Sequence, residues 1–235
     1  HELLQQGHEV TLICPAYPQS CDDEFEIIRI PSWYLFIDPE DRLMRRRPLR
    51  RLVDELRRRA FDIIHVHTPF AAHYEGVWLG SQLGIPVIET YHTYFEEYLD
   101  KYLPWLPRRV LRYAARRFSR TQCAEIDAMV VPTQPMLDVL RDYGIGTEAA
   151  VIPTGIPAGA FSQGDGGRFR RVHEITQDRK VMLYVGRVAH EKNIDFLLHV
   201  VARVARRHPE ALLVIAGEGP AERHLRRLAT SLQIE

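Results

Sequence analysis

Lysine is nearly missing from this chain: Lys101, Lys180 and Lys192 stand against 28 arginines in 235 residues. A net charge of either sign is missing too, with 31 basic and 31 acidic residues. That balance excludes the uniformly cationic surface of a protein that wraps nucleic acid. Cysteine occurs three times, at Cys14, Cys21 and Cys123, an odd and scattered set that makes neither a disulfide framework nor paired zinc knuckles. No apolar run reaches the roughly 20 residues that cross a bilayer, and no charged start leads into an apolar stretch and a small-residue cleavage site. A reducing cytoplasm is the setting these absences imply. What is present, 46% apolar and 26% charged residues, excludes disorder and fibrous repeats and suffices for one or two hydrophobic cores.

Apolar runs alternate with amphipathic segments. Strands are expected over residues 9–14, 26–30, 62–66, 87–91, 128–131, 149–152, 181–185 and 212–216, and helices over 41–60, 73–83, 106–125, 134–143, 194–208 and 221–232. Several strands are continuous Val/Ile/Leu runs, the mark of sheets buried on both faces, so the fold class is α/β with doubly wound parallel sheets. The Gly- and Pro-rich stretch 157–167 divides the chain. It sets a first Rossmann-like domain at 1–157, a linker region at 158–179 and the start of a second domain at 180–235. The chain opens inside a helix and stops after one, and two strands are too few for the second core. The expectation is a stretch of a longer protein, lacking its first strand and the rest of its second domain.

Ligands of such sheets bind beyond the carboxyl ends of the strands, where three polar clusters fall. Tyr91-His92-Thr93 follows the strand 87–91, with Glu96 and Glu97 one turn later. An imidazole there can hydrogen-bond a substrate hydroxyl or phosphate, or it can satisfy a neighbouring carbonyl. His65 and His67 alternate in and after the strand 62–66; with no third ligand spaced to join them, packing or pocket lining is their reading and metal-independent chemistry is favoured. The second cluster, Tyr184-Val185-Gly186-Arg187-Val188-Ala189-His190-Glu191-Lys192-Asn193, ends a buried strand at glycine and places two cations five residues apart before a helix. Close backbone approach at Gly186, free helix amides and the charges of Arg187 and Lys192 suit a diphosphate. The third group is Pro153-Thr154-Gly155-Ile156 and Gly217-Glu218-Gly219-Pro220, each at a strand end. Neither is a dinucleotide fingerprint, because the three-glycine spacing and its later acidic residue are lacking.

Taken in order, Gly7-His8-Glu9-Val10, Asp62-Ile63-Ile64-His65-Val66-His67, the segment 90–93, Val131-Pro132-Thr133, Pro153-Thr154-Gly155-Ile156, Gly186-Arg187 with Glu191-Lys192-Asn193, and Gly217-Glu218-Gly219-Pro220 resemble the retaining glycosyltransferases of family 4. That family is built as two facing Rossmann-like domains, the GT-B fold. The resemblance implies a nucleotide-sugar donor, UDP- or GDP-linked, as substrate, and no separate cofactor or divalent metal. It implies catalytic roles for His92, Arg187 and Lys192: His92 reaching the donor sugar, and the two cations neutralising the departing diphosphate. Thr154, Gly155, Gly186, Gly217, Glu218 and Gly219 are then donor-binding, the last three beside the nucleoside. Transfer with retention to an acceptor hydroxyl would follow. The family's opening strand with its glycine loop, and its later pair of glutamates eight apart, are not in these residues, which implies that the stretch alone is catalytically incompetent.

The neutral total conceals strong polarity. Residues 1–40 hold eight acids and one arginine, 42–59 nine arginines and two acids, and 101–120 seven cations with no acid. Both basic stretches carry apolar residues at helical spacing. They are either solvated helix faces that pack on a sheet, or surfaces that bring Arg45, Arg46, Arg47, Arg50, Arg51, Arg108 and Arg109 to an anionic membrane. The segment 91–98 also looks like that of diacylglycerol glucosyltransferases within the family, which favours a lipid acceptor and a peripheral position on the inner face of the membrane. A nucleotide-sugar epimerase of related build and a non-catalytic membrane adaptor are the alternative readings.

Overall fold

The apolar runs form parallel strands in the computed structural model, which describes residues 2–18, 25–34, 42–92, 94–96, 105–156, 159 and 163–234. Cys21, Thr93, Glu97, Lys101 and part of the 157–167 stretch lie outside them. The chain divides into two units, residues 1–154 and 155–235.

The first unit opens with α1 (Glu2–Gln5), closed by Gly7 at φ +87°. The amides of Gly7 and His8 donate to the carbonyls of Leu4 and Leu3, so this glycine serves as a helix cap. Strands β1 (Leu12–Pro15) and β2 (Ile27–Ile30) then pair in parallel. A separate sheet of four parallel strands runs in the order β5 (Ile64–Val66), β6 (Val87–Thr90), β7 (Ala128–Val131) and β8 (Glu148–Val151). Its crossovers are α4 (Ala71–Leu83), α5 (Arg108–Cys123) and α6 (Gln134–Asp142). Thr133 accepts a hydrogen bond from the Met136 amide and caps α6, which gives Val131-Pro132-Thr133 a structural role.

The expected helix over 41–60 does not form as one piece. Asp41 lies outside the described residues, and Arg42–Met44 is a strand, β4, paired antiparallel with β3 (Ser32–Tyr34). Helix begins only at α2 (Arg46–Arg50) and resumes as α3 (Val53–Arg58). Pro48, without an amide hydrogen, is tolerated in a first turn and not in an interior, which fixes the start. Pro107 likewise delays α5 beyond the expected 106. The stretch expected as linker, 158–179, contains a helix, α7 (Gly166–Val172), capped by Asp165. In the second unit β9 (Lys180–Val185) and β10 (Ala211–Ala216) pair in parallel, followed respectively by α8 (Ile194–Ala205) and α9 (Glu222–Leu232). Val188, Ile194, Leu198, Ala221 and Leu225 form the core of this unit.

The first unit buries charge as well as apolar surface. His73 on α4 is fully buried; its Nδ1 lies 2.6 Å from the buried Glu89 carboxylate of β6, and its Nε2 3.1 Å from Glu125 after α5. Burial opposes a charged imidazole, but the two carboxylates outweigh it and hold the His73 pKa above its ordinary value. Glu75, also buried, is met by Arg46 at 2.9 Å and Arg50 at 3.2 Å. Because the folded His73 pKa is the higher one, its contribution to stability is complete below the unfolded value near 6.5 and fades as pH rises through the folded value. Removing one partner of such a cluster is expected to cost about 3 kcal/mol. His73→Gln should therefore lower the urea midpoint most in mildly acidic buffer and flatten this pH dependence. Tryptophan emission reads the first unit alone, since Trp33, Trp78 and Trp105 all lie in it; an unchanged midpoint across pH would refute the assignment.

Candidate active site

In the second unit two strand ends are joined backbone to backbone. The Gly186 amide donates to the Ala216 carbonyl (3.0 Å), Val188 to Glu218 (2.8 Å), and Ala221 back to Val188 (3.0 Å). A side chain at Gly217 would collide with the Gly186 carbonyl, and one at Gly219 with the Val188 carbonyl. Both glycines also adopt positive φ, +154° and +157°. The glycines read as ligand-facing thus have a prior task, allowing two loops to touch. The Tyr184 hydroxyl donates to the Arg187 carbonyl at 3.1 Å, fixing the turn from beneath.

This frame carries the charged groups. Arg187 is partly buried and 3.9 Å from the Glu191 carboxylate. Lys192 ends the short 3-10 turn His190–Lys192 and is exposed; Asn193, at φ +52°, then turns the chain into α8. Arg187 and Lys192 therefore belong to one ordered loop that leads into a helix N-terminus, where free amides and the helix field favour an anion. The Glu218 side chain is exposed while its carbonyl holds Val188.

In the first unit His92 is exposed just past β6, preceded by the buried Tyr91, whose hydroxyl meets that of Ser119 at 2.7 Å. Its ring stacks with His67 (centroids 5.8 Å, interplanar 23°), and His67 lies 4.1 Å from His65. The His65 Nε2 is 2.7 Å from the Thr90 hydroxyl. Loss of water around the rings, and then mutual repulsion, lower the His65 pKa to about 4 and hold that of His67 below its ordinary value. The two histidines taken for pocket or packing residues thus share a strand edge with His92. Their i, i+2 spacing was the legible signal, but nothing in the sequence paired them with His92. Thr154 and Gly155 are exposed, at the point where the chain passes from one unit into the other.

The basic stretches are partly engaged. Arg46 and Arg50 satisfy Glu75, Arg50 also lies over Trp78 (4.5 Å), and Arg45 lies over Trp33 (5.6 Å). Arg47 and Arg51 are exposed, as are Arg108 and Arg109 in the first turn of α5. Further along α5, Arg112 and Arg116 reach Glu96 at 3.1 and 3.4 Å.

Two parallel α/β units with polar loops at their strand ends are the build of GT-B glycosyltransferases. The solved sucrose-phosphate synthase of Thermosynechococcus elongatus shares this fold, with a TM-score of 0.70 and 18% identity over 99% of this chain and 60% of that one. The model of Glycosyltransferase Family 4 matches residues 1–159, and that of Glycosyl transferases group 1 matches residues 166–235. The chain belongs to glycosyltransferase family 4. It is 31% identical to the alpha-monoglucosyldiacylglycerol synthase of Streptococcus pneumoniae, over 100% of this chain and 54% of that protein. It is 26% identical to the GDP-mannose-dependent alpha-mannosyltransferase of Corynebacterium glutamicum, over 96% of this chain and 53% of that protein. The chain thus spans about half the length of these curated relatives.

Gly217→Ala is expected to push the two loops apart, at a cost of more than about 1 kcal/mol, and to speed amide hydrogen exchange at Val188 and Ala221. Glu218→Ala should leave that exchange unchanged, because only the Glu218 backbone is used. Equal protection in Gly217→Ala would show that the loops do not depend on the glycine.

Proposed function

We propose that this chain works as part of an enzyme that transfers a sugar, with retention, from a UDP- or GDP-sugar to the hydroxyl of a membrane lipid such as diacylglycerol. Family membership supports the reaction class, and the names of the relatives support the donor and acceptor classes. The observation that carries the reading is the loop 186–193, which holds two cations on a frame fixed by backbone hydrogen bonds. Charge grows on the diphosphate as the glycosidic bond breaks, and pre-positioned Arg187 and Lys192 stabilise that charge without reorganising. Side-chain cations take the role that a divalent metal has in other transferases. His92, whose imidazole edge can accept and donate, hydrogen-bonds the sugar hydroxyls. For retention, the donor phosphate accepts the proton of the incoming hydroxyl on the face from which the diphosphate leaves.

Helix α5 supports a membrane-borne acceptor at the cytoplasmic face. Leu111, Ala115, Ser119 and Gln122 pack inward, while Val110 and Tyr113 (67% exposed) lie on the outer side, and Trp105 (73% exposed) and Leu106 are exposed in the turn before the helix. The expected packing of these apolar residues on the sheet is thus true of only one face of the helix. Arg109 stands in the first turn of α5, where the helix field disfavours cations; an anionic surface would compensate. Trp and Tyr favour the headgroup layer, and each cation near it contributes about 1 kcal/mol.

Titration of the chain with UDP- and GDP-sugars should show affinity falling about tenfold or more in Arg187→Ala and in Lys192→Ala, the loss expected for a charge-assisted hydrogen bond. Affinity equal to the parent in both variants would remove these residues from the donor site. In a flotation assay the chain should bind phosphatidylglycerol vesicles at low salt, release at high salt, and ignore phosphatidylcholine vesicles. Val110→Ser with Tyr113→Ser should weaken that binding, and salt-independent behaviour would argue against the membrane.

A further inference from the structure

We propose that His67 is the positioning residue of His92, setting its ring from the neighbouring strand as the middle member of a three-imidazole stack along the edge of β5 and β6. The geometry is specific. His65 and His67, two residues apart, project from the same face of the sheet. Their rings are 4.1 Å apart and tilted by 35°, and the His67 ring stacks on that of His92 at 5.8 Å and 23°. One end of the stack is tied down, since His65 Nε2 meets the Thr90 hydroxyl at 2.7 Å. The other end, His92, belongs to a loop whose buried anchor is Tyr91: its amide bonds the Val130 carbonyl at 2.9 Å and its hydroxyl meets Ser119. Backbone contacts therefore place the Cα of His92, and among the described residues the His67 ring is the aromatic neighbour that bears on the direction of the imidazole.

The stack works only when its inner members are uncharged. The groups that act on them are one another, His92, and the Glu89 carboxylate, which favours charge on His67 but is itself held by His73. Desolvation and repulsion win, so the ring that faces His92, that of His67, is held toward its neutral form. A neutral surface of this kind suits a hydroxyl-rich, uncharged ligand such as a hexose ring, where His92 can both accept and donate. This use of the stack rests on the donor-sugar reading of His92, whereas the stack itself does not.

Side-chain NMR of the imidazole Cε1–H groups over pH 4–9, on the chain without sugar, tests the idea. In His67→Gln the ring is lost: the His92 resonance should move at all pH values, and the His65 midpoint should rise as a repelling neighbour disappears. In His67→Phe an uncharged ring remains, so the His92 resonance should stay near its parent position while the His65 midpoint still rises. A His92 resonance that is identical in the parent and in both variants would overturn the positioning role. Far-UV circular dichroism verifies that each variant is folded. Because no sugar is present, a failure here is separable from a failure of His92 to contact the donor, which a His92→Ala binding measurement reads.

Discussion

The carboxylate of Glu89 lies inside the first unit, and the placement of strand β6 depends on the buried histidine that holds it there. An unpaired carboxylate at that depth would be driven out or neutralised. His73 from α4 meets it on one side and extends the bridge to Glu125 on the other, so that a crossover helix, a central strand and the end of the next helix are tied at one point. Alternation along the strand does the rest. Glu89 and Tyr91 face the packed side, while Thr90 and His92 face the side on which His65 and His67 stand. A slip of one residue would exchange these faces and remove the histidine stack along with the buried pair. Core and candidate site are therefore set by the same register.

Arginine does a second kind of positioning. Glu75 is held by two arginines, Glu96 by two more, and Glu26 by Arg59. Arg42, Arg45, Arg50, Arg59 and Arg116 also lie over aromatic rings. Planar guanidinium groups can bind a carboxylate and cover a ring at once, which an ammonium cannot do as well. The scarcity of lysine is thus part of how the first unit is assembled. It also divides the basic segment 42–59: Arg46 and Arg50 support Glu75, whereas Arg47 and Arg51 are exposed.

Much of this was legible in the residues. The parallel strands announced themselves as Val/Ile/Leu runs, and the loop 186–193 by glycine at a strand end followed by two cations. The helical periodicity of the arginine-rich segment 42–59 conceals the break that Pro48 imposes, and the partner of its first residues, the short strand Ser32–Tyr34, is too brief to show a pattern. The His73–Glu89–Glu125 bridge joins residues 16 and 52 positions apart, and the meeting of His67 with His92 likewise depends on which strands are neighbours. Periodicity carries information about faces, and not about which faces meet. The outer apolar residues of α5 were visible as apolar spacing, but only the packing of Leu111 and Ala115 shows that Val110 and Tyr113 are left over.

The glycine-dependent seam between the loops at 186–188 and 217–221 separates two jobs that are often mixed in a binding site. Shape comes from main-chain atoms, with Gly217 and Gly219 contributing only their lack of a side chain, while Arg187, Glu218 and Lys192 project from that shape without building it. Side chains at these outward positions can be exchanged with little effect on the frame. A scaffold divided in this way lets the outward side chains change while the fold stays the same.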